Sequence, residues 1–111
     1  MITSIVTVLV GPPCSGKSTY LKTLEYDFVI SSDNIVEILC RNNELRYHEY
    51  FQLPSYHSLK AQHHQIFESL INESLSYQHV VWDLTNLTRR SRCKIFTYYP
   101  NAKILAVVFD L

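Results

Sequence analysis

The chain has two glycines, Gly11 and Gly16, and both fall in one run of eight residues, Gly11-Pro12-Pro13-Cys14-Ser15-Gly16-Lys17-Ser18. The spacing G-x-x-x-x-G-K-S lets the backbone wrap so that successive N–H groups point inward at one spot, a concave anion site. A lysine right after the second glycine reaches the β- and γ-phosphates of a nucleotide, and the serine after it offers a hydroxyl to Mg²⁺. Gly11, Pro12, Pro13, Cys14, Ser15, Gly16, Lys17, Ser18 and Thr19 are therefore the candidate nucleotide site. A small residue that fits the loop is the simplest role for Cys14; a thiolate favoured by the surrounding amides is the alternative.

The flanks supply the context this loop needs. Ile2 to Val10 is apolar and rich in β-branched residues, the pattern of a parallel strand buried on both faces, and Ser18 to Glu25 reads as a helix. Further along, Asp27 to Ser31 predicts a second strand and Ser32-Asp33-Asn34 opens a helix to about Cys40, with Ile35, Ile38 and Leu39 at helical spacing. Asn42-Asn43 ends it, and the tyrosine-rich stretch Arg41 to His57 is the least regular part. A longer helix is expected over Ser58 to Tyr77, with Ile66, Phe67, Leu70, Ile71 and Leu75 as its buried stripe. His79 to Asp83 predicts a third strand, Thr88 to Tyr98 a helix with a basic outer face, and Lys103 to Asp110 a fourth strand. Strands alternating with helices give an α/β fold. The right-handed crossover rule makes it a parallel sheet of about four strands with helices on both faces.

With 111 residues the expectation is one domain over 1–111. No apolar stretch approaches a membrane span and no basic leader precedes the first strand, so no membrane partner and a cytoplasmic location are expected. Ten Lys and Arg balance ten Asp and Glu, which argues against a general nucleic-acid coat but leaves room for a local patch at Arg89, Arg90, Arg92 and Lys94. The three cysteines, Cys14, Cys40 and Cys93, lack metal spacing, and neither a disulfide nor zinc is expected.

Ligands of open parallel sheets sit beyond the carboxyl ends of the strands, so the residues that end them should converge on one cleft. Asp33 follows the second strand and is the candidate base for a hydroxyl nucleophile; its competing role is a helix cap, for which Ser32 and Asn34 also qualify. Asp83 ends Val80-Val81-Trp82-Asp83 in the manner of a Walker-B carboxylate that holds the Mg²⁺ shell, with a substrate contact or a plain turn role as alternatives. Thr85 and Asn86 beside it are candidate hydrogen-bonding partners of substrate. The aromatic cluster from Tyr47 to Tyr56 suits packing, and base stacking is its second use.

Four segments together, Gly11 to Thr19, Ile-Ser-Ser-Asp at 30–33, Val-Trp-Asp-Leu-Thr-Asn-Leu at 81–87 and Val-Val-Phe-Asp at 107–110, resemble the kinase domain of phage polynucleotide 5′-kinases within the wider AAA-type P-loop kinase group. The resemblance implies ATP as donor, 5′-hydroxyl DNA or RNA as acceptor, Lys17 and Ser18 on phosphates and metal, Asp33 as the activating base and Asp83 as an essential carboxylate. Two departures stand out. Val36 occupies the place where the family carries an arginine that grips the substrate phosphate. The chain given stops at Leu111, where the family continues into a lid with a further arginine. Arg89, Arg90 and Arg92, as possible substrate or phosphate contacts, or a neighbouring copy in a homo-oligomer, are the candidate substitutes; otherwise slow turnover is expected. Three readings remain open: a nucleic-acid 5′-kinase, a kinase for a small hydroxyl compound, and a nucleotide-binding regulatory module with little turnover.

Overall fold

The computed structural model describes residues 3–12 and 16–109. Strands β1 (Ile5–Val10), β2 (Phe28–Ser31), β3 (His79–Leu84) and β4 (Lys103–Val108) form one parallel sheet in the order β2-β3-β1-β4. Helix α1 (Lys17–Thr23) links β1 to β2; α2 (Ser32–Asn42), α3 (Tyr47–Tyr50) and α4 (Ser58–Ser74) lie between β2 and β3; α5 (Arg89–Tyr98) leads into β4. The first crossover runs one way across the sheet and the later two run back. Right-handed connections therefore put α1 on one face and the other helices on the opposite face.

The second face holds the core. Val6, Val8, Ile30, Val80 and Trp82 alternate along their strands to face α2, α4 and α5, where they meet Leu39, Phe67, Ile71, Ile95 and Tyr99. Each fully buried apolar side chain of this kind contributes about 1.5–3 kcal/mol, so most of the stability resides here rather than at the rim where the strands end. One polar knot lies inside it: Tyr99 Oη is 2.5 Å from Ser74 Oγ and accepts from Trp82 Nε1 at 3.2 Å, tying α4, β3 and α5 together. On the α1 face, Leu9 and Val81 are fully buried.

The element order agrees with the sequence reading, and the differences are local. The segment 41–57 contains the single-turn helix α3, and α4 stops at Ser74, three residues before the expected end. Helix α2 buries Ile35, Val36, Leu39 and Cys40, which turns Ile38 outward; the stripe of α4 likewise leaves Ile66 exposed. β3 runs one residue further, to Leu84, so Asp83 is its penultimate residue. Expectations for Met1, Ile2, Pro13, Cys14, Ser15, Asp110 and Leu111 lie outside the described residues. Cys40 is buried and Cys93 exposed, both as free thiols. Among the described residues no helix is long and apolar enough to cross a membrane.

Candidate active site

The P-loop leaves β1 at Gly11, whose N–H donates to the Leu84 carbonyl at 3.1 Å, and re-enters at Gly16. Gly16 caps α1 with φ 97°, in the left-handed region; a Cβ there would meet nothing within 4 Å, so backbone conformation, not crowding, demands glycine. It offers no side chain to cap the first N–H groups of α1.

Lys17 is buried. Its Nζ donates to the Leu84 carbonyl at 3.0 Å and sits 3.0 Å from Asp83 Oδ1. Asp83 is held in turn by Ser31, its register partner on β2, whose hydroxyl donates to Oδ2 at 3.4 Å. Asp83 Oδ1 is buried and makes no well-directed hydrogen bond among the described residues, so the ammonium is its compensation. Gly16, Lys17, Ser18, Ser31, Asp33 and Asp83 border a cleft of about 690 Å³ at the carboxyl ends of the strands. Ser18 and Thr19 stand exposed on its α1 side.

Asp33 is in the first turn of α2, but it is not the cap. Ser31 takes that role, its Oγ accepting from the Asn34 N–H at 3.3 Å. The Asp33 carboxylate instead accepts from Tyr47 Oη at 2.8 Å on Oδ1 and from Thr85 Oγ1 at 3.4 Å on Oδ2. Partial burial and this bond push the Tyr47 phenol up to about 12. Asp33 also borders a second cleft, of about 510 Å³, walled by Tyr47, Phe51, His63, Thr85 and Asn86, with Val36 in its lining. No lysine or arginine is among the described residues of that lining. Burial holds the His63 imidazole below its ordinary range, and its Nε2 lies 3.1 Å from Ser32 Oγ.

Asp33, Asp83, Lys17 and Ser18 thus share the first cleft, and Thr85 and Asn86 join Asp33 in the second. Arg90 and Arg92 line other hollows, and Arg89 lines neither cleft. Tyr47 and His63 were not marked by the sequence for this place: their contacts to Asp33 and Ser32 span 14 and 31 residues, and only the aromatic density around Tyr47 hinted at a site.

A family model described as an AAA domain, AAA_33, matches residues 6–111. The chain belongs to this AAA domain family. Among solved structures, a chain in the structure of the Pnkp1/Rnl/Hen1 RNA repair complex is similar over all of this chain and 34% of its own, at 25% identity and a TM-score of 0.65. A chain from a second structure of the Pnkp1/Rnl/Hen1 complex is similar over all of this chain and 37% of its own, at 26% identity and a TM-score of 0.64. This AAA domain thus spans about a third of the chains it matches. No curated protein sequence gives a significant match. Family and fold are those of a P-loop, nucleotide-binding domain of the kinase type.

Proposed function

We propose that this domain transfers the terminal phosphoryl group of ATP to a hydroxyl, and that the hydroxyl is the 5′ end of a nucleic acid. The observation that carries the reading is the position of Asp33 on the wall shared by two clefts, one bordered by the P-loop lysine and the other by aromatic and hydrogen-bonding side chains. A base for phosphoryl transfer must touch the acceptor hydroxyl while that hydroxyl faces the donor.

The residues present suit a magnesium nucleotide. Asp83 Oδ1 is a buried carboxylate oxygen with no well-directed hydrogen bond among the described residues, and a serine hydroxyl, Ser18, borders the same cleft. Magnesium needs few protein ligands, because phosphate and water complete its shell. Ser18 and Asp83 would hold it, and when bound it neutralises charge on the phosphate oxygens. Lys17 would exchange its contact with Asp83 for the β- and γ-phosphates. Asp33 accepts the proton of the acceptor hydroxyl as the acceptor oxygen bonds to the γ-phosphorus; the β–γ bridging bond breaks and its electron pair leaves with the diphosphate. Thr85 and Tyr47, which both donate to the Asp33 carboxylate, orient it.

Transfer of label from [γ-³²P]ATP to 5′-hydroxyl DNA and RNA oligonucleotides, with phosphate release measured alongside, tests this. Label on the 5′ end is the expected result. Tight ATP binding with no labelled acceptor would leave a nucleotide-binding module. The lack of lysine and arginine among the described residues of the second cleft's lining favours one other reading, an uncharged small hydroxyl compound as acceptor; label on such a compound but on no oligonucleotide would select it.

A further inference from the structure

Outside the two clefts lies a third hollow of about 560 Å³, bordered by Tyr56, His57, Lys60, His64 and Arg90, with no acidic residue among the described residues of its lining. It adjoins the second cleft. Lys60 Nζ lies 4.1 Å from the ring centre of Tyr50 and 5.8 Å from that of Phe51, and Phe51 walls the acceptor side. On α5, Arg90 borders the hollow while the next residue, Ser91, lines the second cleft.

Each member has a reason to stand where it does. His57 caps α4, its Nδ1 accepting from the Leu59 N–H at 3.1 Å, so the neutral ring carries its proton on Nε2 as a free donor. Lys60 is steadied over the Tyr50 face by cation–π attraction. The nearest acid to His64, Glu68, lies at 3.8 Å and is already engaged by Lys94 at 2.7 Å and by Tyr98. Tyr56, also in the lining, is 89% exposed, the most open of the large hydrophobic side chains described, and offers a flat aromatic face. In a chain of zero formal net charge, such a concentration of donors around an aromatic face is local, not a by-product of a basic surface.

We propose that this hollow binds the phosphodiester backbone of a single-stranded nucleic acid whose 5′-terminal nucleoside occupies the second cleft. The inference rests on the acceptor class proposed above and divides the labour of recognition. The second cleft, without lysine or arginine among its described lining residues, takes the uncharged terminal sugar and base, and the cationic hollow takes the first linkages downstream, with Tyr56 as a stacking face. Backbone charge and base stacking are the two ingredients of sequence-tolerant single-strand binding.

The test uses the full chain and a 3′-fluorescein-labelled 5′-hydroxyl oligothymidylate of on the order of ten nucleotides. Binding is read by anisotropy across a salt series without ATP, beside transfer of label from ATP to the oligonucleotide and to free thymidine. Arg90→Ala and Lys60→Gln should each weaken binding by about threefold to tenfold and flatten the slope of log affinity against log salt by about one. Tyr56→Ala should weaken binding with the slope unchanged, because stacking releases no counterion. Lys103→Ala, on exposed β4, should change neither. Affinities equal to the parent's in all three of these variants, or no oligonucleotide binding at low salt, would overturn the proposal, and transfer to thymidine would still report on the kinase reading. Binding that depends on Arg90 and Lys60 but leads to no transfer would uphold the hollow and sink the kinase reading.

Discussion

Lys17 Nζ and Asp83 Oδ1 lie 3.0 Å apart, one on the P-loop helix and one on the strand beside β1, and the same ammonium holds the Leu84 carbonyl. The pair joins two segments 66 residues apart in sequence and leaves neither charge buried alone.

Lys17→Ala should therefore weaken ATP binding by about tenfold or more, the equivalent of one charge-assisted hydrogen bond, as read by calorimetric titration. It should also destabilise the fold by about 1–3 kcal/mol, because Asp83 Oδ1 loses its compensating charge. Adding Asp83→Asn should recover part of that stability and none of the ATP affinity, a coupling that chemical denaturation of the double mutant can measure.

Asp33→Asn should fold and bind ATP as the parent does. The α2 cap belongs to Ser31, so removing this carboxylate touches no capping bond. Transfer should fall by about two decades or more in rate assays, and a transfer rate equal to the parent's would remove Asp33 from the role of base.

Tyr47 carries a pH signature. Its phenol is raised from 10.0 to about 12, by burial first and by the bond to Asp33 second. A raised folded value means that the contribution to stability is full below pH 10 and is lost as pH rises through about 12. Tyr47→Phe should abolish one late-ionising tyrosine in an ultraviolet absorbance titration and reduce the loss of stability between these limits.

Tyr99→Phe should cost about 1–3 kcal/mol in equilibrium unfolding, although it deletes a single oxygen atom. That oxygen accepts from the Trp82 indole and bonds Ser74 inside the core, and its loss leaves buried polar groups without partners. Trp82→Phe added to it should cost less than the sum of the two single changes, since the orphaned indole N–H disappears with the tryptophan.

The sequence made the order of strands and helices legible because each strand is a short β-branched run and each crossover begins at a turn or cap signal. It also made the meeting of Lys17, Asp33 and Asp83 legible, since parallel strands bring their carboxyl ends to one rim. Helix phase was less so. Ile38 and Ile66 are apolar at helical spacing yet face water, because Val36 and Cys40 on α2, and Leu59 on α4, take the inner positions. The second cleft was hidden for another reason: Tyr47 and His63 reach it only through the fold-back of residues 41–57, which has no periodicity to read. Arg89, Arg90 and Arg92 could be seen as basic but not assigned a direction, and the start of α5 puts Arg90 beside α4 and outside the lining of the P-loop cleft.

The register of β3 has a consequence for how this domain can vary. Asp83 pairs with Leu9 on one side and Ser31 on the other, while Trp82 pairs with Val8 and Ile30. The spacing of Leu9, Asp83 and Ser31 across the sheet is thus ruled by backbone ladders about 4.8 Å apart, not by the side chains that fill the core. Apolar residues can be exchanged beneath the site without moving its charges. Inserting one residue ahead of Trp82, however, would turn Asp83 into the oily layer and Trp82 out into the P-loop cleft. Drift in composition is tolerable at this strand, and drift in length is not.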